Sequence, residues 1–376
     1  MCNTFIVEYT HTTYNSSKFR NLLVTYTLVY NYLNTKSRKY LLSKCNRKGS
    51  IDSLILLWNT TETPLIKKIL SFTFESINTS HKIFIPRIAS IITDENPIDV
   101  QYSNAYPYKL TPSTGNIGVL LLSPFSLPLK VPINTLFIHV HGGGNIAQST
   151  FSHQSYTRRW SNSLKLPIFS IEYRLAPDHP YPEGLDDIWQ AYIWLVTQCP
   201  KQFNIIPDKI VLAGDSAGGN HIVSISLKAK LSGFRKPDCL LAIYPVLTQN
   251  PQKVNFGTFL SLNDQILHFH FYRQMRKVYL KDKKLFENVL VSPLEGEEQV
   301  FEEFPKTRLM ICLKDPLFMN SFYFAERLLK VGCDVKVYEY PGLIHGAMNF
   351  ANSIAIPIYN KFYEDSLEIL NEIVYN

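Results

Sequence analysis

Residues 210–221 have the sequence IVLAGDSAGGNH, in which a short apolar run leads into the pattern G-x-S-x-G centred on Ser216. In this pattern a strand turns sharply into a helix, and the serine side chain projects above the carboxyl edge of a sheet. Glycine suits positions 214 and 218, because a Cβ at so tight a bend would collide with the neighbouring strand and helix. The mostly apolar residues 222–229 predict the helix that must follow. The stretch therefore predicts a strand, an elbow and a helix that together present a serine hydroxyl.

Predicted strands and helices alternate on both sides of this elbow. The strands are predicted at 136–140, 168–172, 240–244, 309–313 and 335–340, and the helices at 152–164, 185–196, 321–331 and 357–375. Such alternation predicts a mostly parallel central sheet with helices on both faces, which is an α/β fold. Upstream, four short β-type runs separated by turn residues predict an antiparallel start to the sheet, at 83–85, 91–92, 100–102 and 117–122.

Length and charge limit the class of protein. A chain of 376 residues is longer than most single domains, so one large domain with an appended or inserted cap is expected. The net charge of +7 comes partly from two basic clusters, which are either solvated faces or a peripheral contact with an anionic lipid surface. The clusters are Lys36, Arg38, Lys39, Lys44, Arg47 and Lys48, and Arg273, Arg276, Lys277, Lys281, Lys283 and Lys284. No zinc-finger spacing or RNA-binding motif accompanies them, so no nucleic acid partner is predicted.

The six cysteines and the N-terminus indicate a compartment. The cysteines are scattered, with no C-x-x-C pair and no histidine at ligand spacing, which predicts free thiols in a reducing compartment and no metal site. Neither a secretory signal nor an uninterrupted apolar stretch long enough to span a bilayer is evident. These features predict a cytoplasmic protein and leave association with lipid droplets open.

A run of three glycines follows the predicted strand 136–140, in the sequence HGGG at 141–144. Such a run is expected by chance only about 0.1 times in a chain of this length. A glycine turn at the end of a strand lets backbone N–H groups approach a ligand closely, as an oxyanion hole requires. The alternative is a plain turn between a strand and a helix. His141 is expected to order this loop rather than to transfer a proton.

A serine nucleophile needs a base, and the base needs an orienting carboxylate. Asp315 follows the predicted strand 309–313, and His345 follows the strand that ends at Tyr340. Both therefore come after Ser216 in the chain and just beyond the carboxyl ends of strands, which is the edge where Ser216 is expected. Asp215 is too close to Ser216 in the chain to orient a distant imidazole, and local hydrogen bonding is its expected role.

Five motifs together resemble the hormone-sensitive lipase family of α/β-hydrolases. They are HGGG at 141–144, YRLAPDHPYP at 173–182, GDSAGGN at 214–220, DPL at 315–317 and HG at 345–346. The resemblance extends from about residue 115 to 350 and implies the α/β-hydrolase fold with a helical cap. It further implies that Ser216 is the nucleophile, His345 the general base and later acid, and Asp315 the residue that orients the imidazole. Gly142, Gly143 and Ala217 would supply the N–H groups of the oxyanion hole.

The resemblance also implies a division of the chain into four segments. Residues 1–75 would form an N-terminal helical cap segment and 249–290 a cap insertion, while 76–248 and 291–376 would form the two parts of the hydrolase core. Two departures affect the substrate pocket rather than the triad: Asn145 replaces the aromatic residue common after the glycines, and Met319 and Asn320 replace acidic residues usual after the aspartate.

The implied activity is hydrolysis of carboxylic esters of lipids, such as acylglycerols or sterol esters, through an acyl-enzyme and without a metal or organic cofactor. The principal alternative is a general carboxylesterase or deacetylase acting on small soluble esters. A non-catalytic receptor on the same fold is a third hypothesis, which the presence of His345 disfavours, because receptor-type members of the family lose that histidine. The oligomeric state is not predicted.

Overall fold

Eight strands form one sheet among the residues that the computed structural model describes, which are 51–87, 115–262, 264, 266–350 and 357–375. The strands are β1 (Thr79–Pro86), β2 (Asn116–Ser123), β3 (Ile133–Val140), β4 (Ile168–Glu172), β5 (Ile205–Asp215), β6 (Cys239–Ile243), β7 (Lys306–Cys312) and β8 (Val335–Tyr340). Their order across the sheet is β1-β2-β4-β3-β5-β6-β7-β8. Strand β2 pairs antiparallel with both neighbours, and every other pair is parallel. The predicted mostly parallel sheet is confirmed; the strands predicted at 91–92 and 100–102 lie outside the described residues.

Helices cover both faces of this sheet. The α-helices of the described segments are α1 (Ile51–Trp58), α2 (Pro64–Ser71), α3 (Gln154–Leu164), α4 (Glu183–Phe203), α5 (Ala217–Ser232), α6 (Phe256–Leu260), α7 (Phe269–Tyr279), α8 (Phe318–Lys330) and α9 (Pro357–Tyr375). Helices α3 and α9 contribute to the core on one face, and α4, α5 and α8 contribute to the core on the other. None of the helices in these segments is long and apolar enough to cross a membrane.

The position of strand β5 explains why residues 210–213, which lead into the elbow, are all apolar. Ile210 and Leu212 belong to the core cluster beneath α4 and α5, whereas Val211 and Ala213 belong to the cluster beneath α3 and α9. A parallel strand that is buried on both faces has no solvated side, so alternation of apolar and polar residues disappears. The central position of β5 thus follows from its composition.

The register of the parallel strands aligns their carboxyl ends. Val140 pairs with Gly214, Asp215 with Ile243, and Cys312 of β7 with Tyr340 of β8. The loops that follow β3, β5, β7 and β8 therefore emerge at the same edge of the sheet. These loops carry the glycine run, Ser216, Asp315 and His345, respectively.

Helices from the two predicted cap segments meet above this edge. Helix α1 contacts α7. A Cβ added to Gly144 would lie 2.6 Å from Met275 Sδ of α7 and 3.1 Å from Trp58 Cζ3 of α1. The turn after α1 is also bound to the loop that follows β3, because Gln148 N donates to Asn59 Oδ1 at 2.6 Å. Residues 1–50 of the predicted N-terminal cap segment, including the first basic cluster, lie outside the described residues.

Candidate active site

Ser216 occupies a strained backbone conformation between β5 and α5. Its dihedral angles are φ 53° and ψ −116°, and a positive φ is uncommon for a residue with a side chain. The amide of Ser216 donates to Ile243 O of the adjacent strand at 2.9 Å, which holds the elbow against β6. The turn thus places the hydroxyl at the carboxyl edge of the sheet, as the sequence pattern predicts.

The glycines of the elbow are required by close backbone contacts. A Cβ on Gly218 would lie 2.0 Å from Val140 O, and a Cβ on Gly214 would lie 2.6 Å from the Gly218 carbonyl carbon. Neither neighbour is the flexible end of a side chain. The first turn of α5 can therefore approach β3 only because position 218 lacks a side chain.

We expect the Gly218→Ala substitution to lower the free energy of unfolding by about 3 kcal/mol or more, which is the upper end of the range for overpacked sites. The loss should be this large because the Val140 carbonyl cannot move without displacing β3. Urea unfolding measures this change. Gly118→Ala is the matched control: its Cβ would meet Glu172 Cβ at an ordinary 3.4 Å. Equal stabilities for the two variants would contradict the packing described for the elbow.

The three residues predicted to act together lie in one hydrogen-bonded chain. His345 Nε2 is 2.8 Å from Ser216 Oγ, and His345 Nδ1 is 2.7 Å from Asp315 Oδ2. All three are buried, with 7%, 3% and 1% of Ser216, His345 and Asp315 exposed. Leu317 N donates to the other carboxylate oxygen, Asp315 Oδ1, at 2.8 Å. The geometry suits transfer of a proton from the serine hydroxyl to the imidazole.

The environment of His345 favours its protonated form. Burial alone would lower the pKa of the imidazole, but the charge and hydrogen bond of Asp315, with smaller contributions from Asp264 and Asp215, raise that pKa above its ordinary value. The ring of Tyr244 also packs edge-on against His345, with centroids 4.9 Å apart. The imidazolium that would form after proton transfer is therefore stabilised.

A small cavity adjoins Ser216 beneath the helices of the predicted cap. It is lined by Gly144, Asn145, Ser216, Ala217, Val246, Gln249, Leu267, Tyr272, Met275, Arg276 and Tyr279. Ala217, the first residue of α5, is at the positive end of the helix dipole, where backbone N–H groups favour negative charge. Gly144 and Ala217 thus flank the serine on the cavity wall.

The structure argues against the role predicted for Gly142. Its N–H donates to Asp215 Oδ1 at 2.9 Å, so this donor is already engaged. Gly143 follows with a φ of +104°, a conformation that favours glycine. The sequence pattern gave no means of deciding which glycine amide faces the serine, because the direction of each N–H depends on the fold of the loop.

A buried polar cluster beneath the glycine loop was not anticipated from the sequence. Besides Gly142, Asp215 Oδ1 accepts from Tyr156 OH at 3.1 Å and lies 3.3 Å from His153 Nε2. His153 Nδ1 lies 2.9 Å from Ser149 O, which can only accept, so Nδ1 carries a proton. Burial alone would lower the pKa of His153 and raise the pKa of Asp215. The interaction between the two side chains outweighs burial, so that the pKa of His153 is raised and the pKa of Asp215 is lowered. The local hydrogen-bonding role expected for Asp215 is therefore observed, and it fixes the backbone of the glycine loop.

Comparisons with known proteins agree with this geometry. A family model described as the alpha/beta hydrolase fold matches residues 137–349, more than half of the chain. The chain belongs to this family. The resemblance to the hormone-sensitive lipase family of α/β-hydrolases is also confirmed, since hormone-sensitive lipase from Mus musculus is 43% identical over 132 residues. That match covers 35% of this chain and 17% of the mouse protein, so the chain spans less than a fifth of that relative's length in the alignment.

One further relative of this α/β-hydrolase and one solved structure of similar fold have esterase names. An arylesterase from Saccharolobus solfataricus is 29% identical over 238 residues, which are 60% of this chain and 74% of the relative. Among solved structures, an esterase from the archaeon Pyrobaculum calidifontis aligns with a TM-score of 0.72 over 89% of this chain and 96% of its own, at 19% identity. The structural likeness supports the α/β-hydrolase fold.

Proposed function

We propose that this chain hydrolyses carboxylic esters with Ser216 as nucleophile, His345 as base and Asp315 as the residue that orients the imidazole. The continuous hydrogen-bonded chain from Ser216 Oγ through His345 to Asp315 carries the proposal. Ser216 Oγ attacks the ester carbonyl carbon while its proton passes to His345 Nε2. The imidazolium then gives that proton to the departing alcohol, which leaves an acyl-enzyme. Water, deprotonated by His345, attacks the acyl carbon and releases the acid and free Ser216.

The developing oxyanion needs backbone donors beside Ser216, and we propose the amides of Gly143, Gly144 and Ala217. Gly144 and Ala217 line the cavity with Ser216, whereas the Gly142 amide is engaged by Asp215. Each such donor contributes a factor of about 10² to 10³ in kcat in comparable oxyanion holes. The Asp215 cluster would act indirectly, by holding the loop in the conformation that presents these amides.

The raised pKa of His345 predicts an acid limb in the pH profile. The neutral imidazole is the base, so kcat/KM should fall as pH decreases through the pKa of His345 in the free enzyme. Because that pKa lies above the ordinary 6.5, the midpoint should lie above 6.5. A profile of kcat/KM across the neutral range checks this, and a midpoint below 6.5 would contradict the stabilisation of the imidazolium by Asp315.

We propose lipid esters as the natural substrates, with small soluble esters as the alternative. Relatives named lipase and relatives named esterase both match, so the family alone does not separate the two. Exposed apolar side chains around α6 favour contact with a lipid surface: Phe256 and Phe259 are 65% and 63% exposed, and Val254 and Leu262 are exposed as well. They lie close to the proposed site, since the Phe256 ring contacts Phe318 at the start of α8.

A chain-length series of nitrophenyl esters, run beside emulsified acylglycerols, tests the choice of substrate. Hydrolysis of the long-chain emulsion at a rate comparable with short soluble esters would support the lipid assignment. Activity confined to short soluble esters would leave the carboxylesterase alternative.

We also propose the division of the chain that the resemblance implies, with 1–75 and 249–290 as cap and 76–248 and 291–376 as core. The contact between α1 and α7 above Gly144 supports it, since it joins the first cap segment to the second. A cytoplasmic location with peripheral attachment to lipid droplets remains part of the proposal.

A further inference from the structure

Two residues with side-chain amides, Asn145 and Gln249, line the cavity beside Ser216. The wall also includes the apolar side chains of Val246, Leu267 and Met275. A cavity made only for an alkyl chain needs no amide, because a buried polar group without a partner costs about 1–3 kcal/mol. These two amides therefore require an explanation that an apolar acyl pocket does not give.

Gln249 is buried, with 7% of its surface exposed, and its side-chain Oε1 has no hydrogen-bond partner among the described residues. The position of the residue is fixed by its backbone instead. Its N–H donates to Ser292 Oγ at 2.8 Å, and its carbonyl oxygen accepts from Arg276 Nη1 at 3.2 Å. The side-chain oxygen thus remains as a buried acceptor in a residue that is held firmly beside the serine.

Asn145 supplies the opposite chemistry. Its Oδ1 accepts from His221 Nε2 at 2.6 Å, which orients the amide so that its NH₂ group is the end left to act as a donor. Burial, followed by the nearby His141, lowers the pKa of His221 to about 3, so the ring is neutral at physiological pH, and its contact with Asn145 Oδ1 places the single ring N–H on Nε2. The residues that line the cavity thus include both an acceptor and a donor.

We propose that Gln249 is a specificity-determining residue that favours esters carrying a hydroxyl group close to the scissile bond, an inference that rests on the proposed ester hydrolysis. A hydroxyl has both a proton to donate to Gln249 Oε1 and lone pairs to accept from the Asn145 amide. An alkyl group can do neither, and a carboxylate has no proton for Gln249. A cationic group is disfavoured because Arg276 lines the same cavity.

The test compares two matched pairs of esters. Ethyl 3-hydroxybutanoate with ethyl butanoate probes a hydroxyl on the acyl side, and 2,3-dihydroxypropyl butanoate with propyl butanoate probes the alcohol side. We expect the wild-type enzyme to prefer the hydroxylated member of at least one pair by about 3- to 10-fold in kcat/KM, the net effect of one hydrogen bond.

Gln249→Met keeps the length of the side chain and removes the amide. It should abolish the hydroxyl preference, so that kcat/KM for the two members of each pair becomes about equal. The variant should also melt at or above the wild-type temperature, because the amide it loses has no partner to leave behind. A purely structural role would instead lower the melting temperature and reduce both activities together.

Gln252→Met is the matched control, since Gln252 is an exposed residue of the same segment and does not line the cavity. It should keep the wild-type preference. An unchanged preference in Gln249→Met, or an altered one in Gln252→Met, would overturn the inference while leaving ester hydrolysis intact. Failure of the wild type to hydrolyse any of the four esters, the nitrophenyl ester series or the acylglycerol emulsion would overturn the proposed function as well.

Discussion

A Ser216→Ala variant should lose about 10⁴-fold or more of kcat/KM for a nitrophenyl ester. The hydroxyl that attacks the carbonyl is removed, and no other serine hydroxyl of the described residues is bonded to His345. The oxyanion donors and the cavity remain, so a small residual rate above the uncatalysed reaction is expected. A fluorophosphonate probe provides a second measurement, because it should label the wild type and not the variant.

Ser226→Ala is the control for this substitution. Ser226 is fully buried in the same helix, α5, and its hydroxyl only donates to Ile222 O at 2.7 Å. This variant should retain activity and labelling. Full activity of Ser216→Ala would exclude the serine mechanism. Absence of both labelling and hydrolysis in the wild type would instead favour the non-catalytic receptor hypothesis.

The meeting of Ser216, Asp315 and His345 could be predicted from sequence because each of them follows a strand of the parallel part of the sheet. Parallel strands have their carboxyl ends at the same edge, so Ser216, Asp315 and His345 could be assigned to that edge without knowing the loops. The ends of the helices and strands were predicted less well. The helix expected at 185–196 continues through Pro200 to Phe203 and ends only where Asn204 adopts a left-handed conformation. Apolar periodicity identifies the face of a helix that packs against the core. It does not show at which residue the helix ends.

Contacts between residues that are distant in the chain were not predictable from the sequence. The engagement of Gly142 by Asp215 joins residues 73 positions apart, through a bond whose direction no motif encodes. Gln249 lies in the stretch 245–305, where no strand or helix period is clear, and no motif indicates that it shares a cavity with Tyr272, Arg276 and Ser216. Sequence patterns therefore indicated which residues meet at the edge of the sheet but not which residues line the cavity beside Ser216.

An Asp315→Asn variant should lose about 10⁴-fold of kcat, with little change in the fold. In the wild type, Oδ1 accepts from Leu317 N and Oδ2 faces His345 Nδ1. The asparagine oxygen should keep the bond to Leu317, since that backbone group can only donate. The NH₂ group must then face Nδ1. The imidazole is thereby driven into the tautomer with its proton on Nε2, which cannot accept the proton of Ser216.

A loss of activity that is caused by the wrong tautomer of His345 should be recognisable in the pH profile and in a double variant. Without the Asp315 charge, the pKa of His345 should fall, and the acid limb of the small residual activity should move to lower pH than in the wild type. The double variant Ser216→Ala/Asp315→Asn should be no slower than Ser216→Ala alone, because residues that act as a unit are not additive. Asp334→Asn, which alters a half-exposed partner of Arg308, should leave kcat unchanged. Additive losses in the double variant would mean that Asp315 acts on the reaction independently of the serine, and the single hydrogen-bonded chain would then be the wrong description of the site.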